Sequence, residues 1–326
     1  QILRRTALMF YRFITSAIAL VLGGMLTTAE AEEAVTLRLK WFHQAQFAGF
    51  YVAKDKELYK AAGLNVDIQP GGPDFPAIQM ATGGNEQFGV TAADQILIAR
   101  SKGVPVVALA VIFRRNPFVL FSLAKSGIKA PADYVGKNIG VKIGGNEELI
   151  YRAILAKAGI DKAKLNEIPV KFDITPLLAG AVDVWPGYLI NEVLAAKEKG
   201  FDVNIVSPPD YGIDLYADTL FTTEKMLKEK PDVVRKFVNA TLRGWSSAIA
   251  APEEAAQITV KYGAKLTYEH ELAMMKASLP LLQPDAQPVG WMDTANWSAT
   301  QKLLVEAGFQ KTPVEIGKAF TVEFLK

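Results

Sequence analysis

The chain has 326 residues, half of them apolar, with 36 Lys and Arg against 34 Asp and Glu, two His and no Cys. The lack of Cys excludes disulfide stapling, zinc–thiolate and iron–sulfur sites and a cysteine nucleophile, and His43 and His270 are too far apart for metal-ligand spacing. The near-balanced charge argues against a general nucleic-acid or anionic-membrane surface, which needs a basic excess.

Arg4, Arg5 and Arg12 precede an apolar run from Phe13 to Leu26, and Ala29-Glu30-Ala31 is a small-x-small cleavage pattern. The run is short for a membrane span, so residues 1–31 read as a secretory signal peptide. No Cys follows it, which excludes a lipoprotein anchor. Its removal takes away three Arg and one Glu and leaves the rest formally neutral. The remainder is long enough for two domains.

From there strand and helix patterns alternate. Leu37, Leu39 and Trp41 alternate with Arg38 and Lys40, which predicts a strand over 35–41. Helical residues follow over 49–62, stopped by Gly63. Between them lies a polar and aromatic cluster, Trp41, Phe42, His43, Gln44 and Gln46. Strand-to-helix junctions are where open α/β sheets bind ligands, and rings with amides suit a flat, nitrogen-rich molecule. The competing reading makes Trp41 core and leaves His43 solvated.

A strand over 64–70, the turn Gly71-Gly72-Pro73-Asp74, a helix over 75–82, a strand over 87–91 and a helix over 95–102 come next. Asp94 sits at that last junction, either as a ligand contact or as a helix cap. The apolar run over 104–113 predicts a fully buried strand. Arg115 and Asn116 then precede a strand over 118–123, with Arg115 either at the cleft or simply solvated. After a strand over 137–141, Gly144 and Gly145 open a helix over 148–158 and offer amide N–H groups to an acceptor.

Strands over 170–173 and 182–185 flank a short helix, and a helix over 187–199 leads to a strand over 203–206. On that helix Tyr188 and Glu192, four apart, share a face close to Trp185. A stacking ring beside a carboxylate is what an aminopyrimidine needs, since the carboxylate accepts from the exocyclic amine and a protonated ring nitrogen together. The alternative makes Trp185 and Tyr188 core and Glu192 solvated. A strand over 219–223 mirrors 118–123, and four helices follow, over 231–250, 252–262, 268–278 and 293–307. Trp245, Trp291 and Trp297 fall among these helices and read as packing.

The alternation predicts an α/β fold of two doubly wound lobes. The first is discontinuous, 32–122 with 223–326, and the second, 123–222, is inserted, so two crossing strands form a hinge around a cleft. Support for catalysis is thin. There is no Gly-x-Ser-x-Gly elbow and no Walker A, and the pairs Glu147-Glu148 and Glu253-Glu254 are adjacent, so each points its carboxylates to different helix faces.

The stretch Leu39-Lys40-Trp41-Phe42-His43-Gln44-Ala45-Gln46-Phe47-Ala48-Gly49-Phe50-Tyr51-Val52-Ala53, continuing to Gly63-Leu64 and Pro70-Gly71-Gly72, resembles the thiamine-pyrimidine-precursor binding and synthase family. So do Trp185-Pro186-Gly187-Tyr188-Leu189-Ile190-Asn191-Glu192 and Pro209-Asp210-Tyr211-Gly212. The resemblance implies the type II periplasmic-binding fold and a periplasmic, monomeric solute-binding protein without a cofactor. It also implies delivery of a hydroxymethyl- or formylamino-pyrimidine to an ABC permease. In the family's pyrimidine binders a Tyr and a Glu one helical turn apart lie near the cleft, a pattern Tyr188 and Glu192 match, and Trp41 matches the aromatic ending the first strand. The family's Tyr usually follows smaller residues than Trp185-Pro186-Gly187, which leaves ligand size open. Fungal synthases of the family need a Cys-rich motif that this chain lacks. The rival readings are riboflavin, sulfonate, taurine or nitrate as ligand, an exported heterocycle-processing enzyme, and a sensory input module. The last is disfavoured because the sequence shows no span or kinase segment after the lobes. An anionic ligand would rely on Arg115 and the amides of Gly144 and Gly145.

Overall fold

The computed structural model describes residues 31–325 apart from Pro284 and Ala286, so the expected signal peptide lies outside the described residues. From Glu33 onward the described residues form one compact unit built on two sheets of five strands each.

The first sheet holds β1 (Glu33–Arg38), β2 (Leu64–Gln69), β3 (Phe88–Ala92), β4 (Val106–Val111) and β10 (Asp218–Thr223), in the order β2-β1-β3-β10-β4. β1 runs parallel to β2 and β3, and β10 runs antiparallel to β3 and β4. All six residues of β4 are buried, as its apolar run predicts, although it is last in the sheet. The C-terminal segment covers its free edge, with Ala108 donating to the Ala319 carbonyl and accepting from the Thr321 amide.

The second sheet holds β5 (Phe118–Leu123), β6 (Asn138–Val141), β7 (Asn166–Pro169), β8 (Val184–Tyr188) and β9 (Val203–Val206), in the order β7-β6-β8-β5-β9. Here β5 is the antiparallel strand, against both β8 and β9. Residues 118–122, expected to end the first lobe, therefore pair in the second sheet, while β10 pairs in the first. Both strands are buried almost throughout, and neither pattern carries a trace of which neighbours it chooses. The chain passes between the sheets at 112–117 and 207–217, and the two passages are bonded where Ile112 and Phe113 donate to the Asp218 carbonyl and Ala217 donates to the Phe113 carbonyl.

The helices, in chain order, are α1 (Ala48–Asp55), α2 (Leu58–Ala61), α3 (Ala77–Thr82), α4 (Ala93–Ser101), α5 (Asn146–Lys157), α6 (Thr175–Leu178), α7 (Glu192–Glu198), α8 (Glu224–Glu229), α9 (Pro231–Ala250), α10 (Pro252–Thr259), α11 (Tyr268–Leu282) and α12 (Thr294–Glu306). Three of them and two strands depart from expectation. The helix expected over 49–62 breaks into α1 and α2 at Glu57, which takes φ +54°. The apolar period runs straight through that break, so spacing does not register it. β7 lies at Asn166–Pro169, not at 170–173, because an edge strand with half-exposed residues has a weak alternation. β8 continues through Pro186 and Gly187 to Tyr188, so α7 starts only at Glu192. Pro-Gly usually signals a turn. Here β6 pairs with β8 only at Val184, which leaves Pro186 paired on one side, where a missing N–H costs little.

α9 crosses α1 at close range. A Cβ on Gly244 would lie 2.3 Å from the Gly49 carbonyl oxygen and 2.5 Å from Ala53 Cβ, and one on Gly49 would lie 2.1 Å from the Trp245 ring. Only glycine permits that approach, and it fixes α1, hence the junction that precedes it. Trp245 and Trp297 are fully buried packing residues, but Trp291 is 37% exposed.

Candidate ligand-binding site

A cleft of about 880 Å³ is lined by residues that follow β1, flank α3 and α4 of the first lobe, and follow β6 and β7 of the second. A smaller recess of about 30 Å³ shares Lys40, Trp41, Lys142 and Glu147 with it and adds Gln44, Gln46, Tyr188, Asn191 and Glu192. The junction after β1 and the turn after β8 therefore meet across the lobes.

Lys40 is the centre of this arrangement. Its Nζ donates to Tyr188 Oη at 2.5 Å and approaches Asp218 Oδ1 at 3.4 Å, while lying 5.2 Å from the centre of the Tyr188 ring. Asp218, 1% exposed, also accepts from Gln46 Nε2 at 2.7 Å, and Gln46 Oε1 accepts from Gln44 Nε2 at 2.6 Å. Burial disfavours the Lys40 ammonium, but Tyr188, Asp218 and Glu147 more than offset this and hold it above its ordinary value. Burial likewise raises the Asp218 carboxyl against the pull of Lys40 and Gln46, and pushes the Tyr188 phenol up, so that it stays protonated.

Glu192 is buried and doubly engaged. Oε1 accepts from Lys142 Nζ at 2.8 Å and Oε2 from the Tyr188 backbone N–H at 2.8 Å. Tyr188 and Glu192 do come together, but through a carboxylate folded back on the end of a strand, not as neighbours on a helix. Gly187 makes this possible, because a Cβ there would stand 2.9 Å from Glu192 Cβ.

The other expected residues divide. Trp41 lines both recess and cleft, and its ring meets Phe172 of the second lobe at 5.0 Å and Phe42 at 5.2 Å, edge to face. Gln46 lines the recess. Asp94 lies beneath the cleft, fully buried, accepting from Gln95 Nε2 at 2.6 Å and from Asn146 Nδ2 of the second lobe at 2.8 Å. Its carboxyl is raised by burial, with Gln95, Lys40 and Asn146 acting against the rise. Asn116 bonds the Phe118 amide and touches Asn146 at 3.4 Å, bracing the first passage between lobes. Gly144 and Gly145 line the cleft, but the Gly144 N–H already donates to Glu148 Oε2 at 2.9 Å.

Three further residues lie away from the recess and the cleft. His43 packs against Tyr51 and Tyr262, with Nδ1 3.0 Å from Tyr51 Oη, on the side of the junction turned toward α10. Trp185 is fully buried in the separate apolar cluster of the second lobe. The period of two along β8 turns it away from Tyr188's side, a consequence of the chain being strand there rather than helix. Arg115 is exposed and bound through its backbone N–H to the Leu281 carbonyl, away from the cleft lining. The residues that sequence reasoning missed are Lys40, Lys142, Asn146, Glu147, Phe172 and Asp218. The single charge of an otherwise uncharged buried strand, Asp218 in β10, was the available signal.

Among the described residues no group of His, Cys, Asp and Glu is placed to hold a metal ion, and no helix is long and apolar enough to cross a membrane.

The family described as NMT1/THI5 like matches residues 44–255. The riboflavin-binding protein RibY of Chloroflexus aurantiacus is 28% identical over 308 residues, covering 89% of this chain and 86% of that protein. A formylaminopyrimidine-binding protein of Halalkalibacterium halodurans is also 28% identical, over 300 residues, covering 90% and 91%. A Legionella pneumophila relative named 4-amino-5-hydroxymethyl-2-methylpyrimidine phosphate synthase is 24% identical over 228 residues, covering 69% and 72%. Among solved structures, the periplasmic aliphatic sulphonate binding protein SsuA of Escherichia coli shares the fold with a TM-score of 0.71 at 16% identity, covering 88% of this chain and 97% of SsuA.

Proposed function

This chain belongs to the NMT1/THI5-like family, and we propose that it is a periplasmic solute-binding protein that captures a thiamine-precursor pyrimidine between its lobes for an ABC permease. Binding, without turnover, is its activity, and it works as a monomer. The observation that carries this reading is the meeting of Trp41 from the first lobe and Tyr188 from the second in one recess with amides and carboxylates. The recess holds roughly one water-sized group, so a ring would lie with its polar edge in the recess and its face in the adjoining cleft. Stacking on Trp41 adds affinity at little conformational cost. A ligand touching both lobes joins Lys40–Tyr188, Asp94–Asn146 and Trp41–Phe172 as links across the cleft. Ligand bound to both lobes favours the closed state, and a permease that distinguishes closed from open receives the signal.

Riboflavin is the second reading. The cleft's 880 Å³ is at the upper end for small-molecule sites and exceeds what a single pyrimidine ring fills. Its mouth carries further apolar surface at Phe42, Ile143 and Phe172, suited to a larger fused ring. Anionic ligands find less support, because Arg115 lies off the lining and the Gly144 amide is taken. Thermal denaturation against pyrimidines, thiamine, riboflavin, sulfonates and nitrate tests these readings. A ligand at a hundred times its Kd adds about 2.7 kcal/mol, a readable shift. A shift with anions alone would overturn the heteroaromatic reading.

A further inference from the structure

The recess has an uneven pairing of charges. Lys142 is matched by Glu192 at 2.8 Å and Lys40 by Asp218 at 3.4 Å. Asp94 is satisfied by two amide donors, Gln95 and Asn146. Glu147 lines both the recess and the cleft, and among the described residues its carboxylate has no hydrogen-bond or ion-pair partner. Its place is set by the first turn of α5, where the helix N-terminus favours a negative charge. Gly145 leaves room for its carboxylate, since a Cβ there would be 3.0 Å from Glu147 Oε2. Glu147 shares the recess lining with Lys40, Tyr188 and Glu192, so its carboxylate stands among the polar groups that a ligand there would meet.

We infer that Glu147, rather than Glu192, is the carboxylate that reads the amidine-type edge of that ligand, an exocyclic amine beside a protonatable ring nitrogen. This rests on the solute-binding reading above and names the chemistry of that same site. A carboxylate with both oxygens unengaged accepts two parallel N–H bonds from such an edge, and the bond is charge-assisted once the ring nitrogen is protonated. Glu192 lacks that freedom because Lys142 and the Tyr188 amide already fix its two oxygens. It is a positioning residue, setting the backbone of Tyr188.

Isothermal titration calorimetry on the purified protein tests this with 4-amino-5-hydroxymethyl-2-methylpyrimidine, its 4-oxo counterpart and riboflavin. Wild type should bind the amino compound more tightly than the oxo compound. Glu147→Gln should weaken the amino compound about tenfold or more and the oxo compound by much less, with the ligand-free melting temperature lowered only slightly by loss of a charge at the helix N-terminus. Glu147→Asp, which withdraws the carboxylate by one methylene, should weaken the amino compound in the same direction. Amino-compound affinity within twofold of wild type in Glu147→Gln overturns the inference while leaving the solute-binding reading intact. Binding of riboflavin alone also overturns it and moves the ligand to the second reading. Binding of none of the three by wild type overturns the heteroaromatic reading itself.

Discussion

Removing the charge of Glu192 should destabilise the protein even without ligand, because the carboxylate is part of the fold of the site. Its side chain is 8% exposed and that of Lys142 14%, so neither charge is well hydrated when its partner is lost. Glu192→Gln keeps the shape but offers one acceptor where two donors, Lys142 Nζ and the Tyr188 N–H, each bond at 2.8 Å. One donor must then face an amide NH₂. A charge-assisted bond contributes about 1.5–3 kcal/mol, and an unpaired buried charge raises the cost toward roughly 3–5 kcal/mol. We expect Glu192→Gln to cost about 3 kcal/mol and Lys142→Met about 2 kcal/mol, the second being smaller because Glu192 keeps the Tyr188 amide. The double variant should cost less than the two together, with a coupling of about 1.5 kcal/mol or more. Urea unfolding of all four proteins at pH 7 measures this, provided their m-values agree. Additive effects, with coupling below about 0.5 kcal/mol, would mean that the pair does not form in solution, and the argument that Glu192 is unavailable to ligand would go with it.

Lys40→Met should leave Asp218 buried with Gln46 alone, at a cost of about 3 kcal/mol at pH 7. Loss of Lys40 raises the folded-state pKa of Asp218 further, so the variant's deficit relative to wild type should grow from pH 5 to pH 7. A deficit independent of pH would count against the Lys40–Asp218 pairing. His43 is held below its ordinary value by burial. The unfolded chain therefore binds its proton more readily, and the stability this residue contributes is present above about pH 6.5 and lost as pH falls through the lowered folded value. His43→Phe should flatten that loss between pH 7 and pH 5 in chemical denaturation, and an unaltered slope would refute the assignment. Gly244→Ala places a methyl 2.3 Å from the Gly49 carbonyl oxygen. Overpacking of this kind costs about 1–3 kcal/mol, so the melting temperature should drop, and a neutral result would show that α9 can move off α1 freely.

Much of the architecture was legible in the residues because period and punctuation are local. The period of two in Leu37, Leu39 and Trp41 and the continuous apolar run of β4 mark strands whatever their partners, and the coverage of residues 44–255 by the family agrees with the motif around Trp41 to Ala53. Trp41, Gln46, Tyr188 and Glu192 were likewise in view, since rings, amides and carboxylates at strand ends stand out. What the chain alone left open is where each side chain points and what it meets. Trp185 and Tyr188 are three apart, and on a helix they would share a face. β8 runs on through Pro186 and Gly187, so they part, and Trp185 goes to the core. His43 lies two residues after Trp41, yet the chain turns through Gln44 and carries it to Tyr51 and Tyr262. Partnership is non-local as well. Glu192 meets Lys142 across 50 residues, and Lys40 meets Asp218 across 178, so only folding decides which charges are neutralised. Glu147 stood in the sequence as one half of an adjacent acidic pair. Tertiary structure alone distinguishes it from Glu148, which bonds the Gly144 amide and Arg152, by leaving the Glu147 carboxylate beside the recess without a partner among the described residues. Elements follow from residues a few places apart, whereas a binding site is a contest for partners among residues that only the assembled lobes bring together.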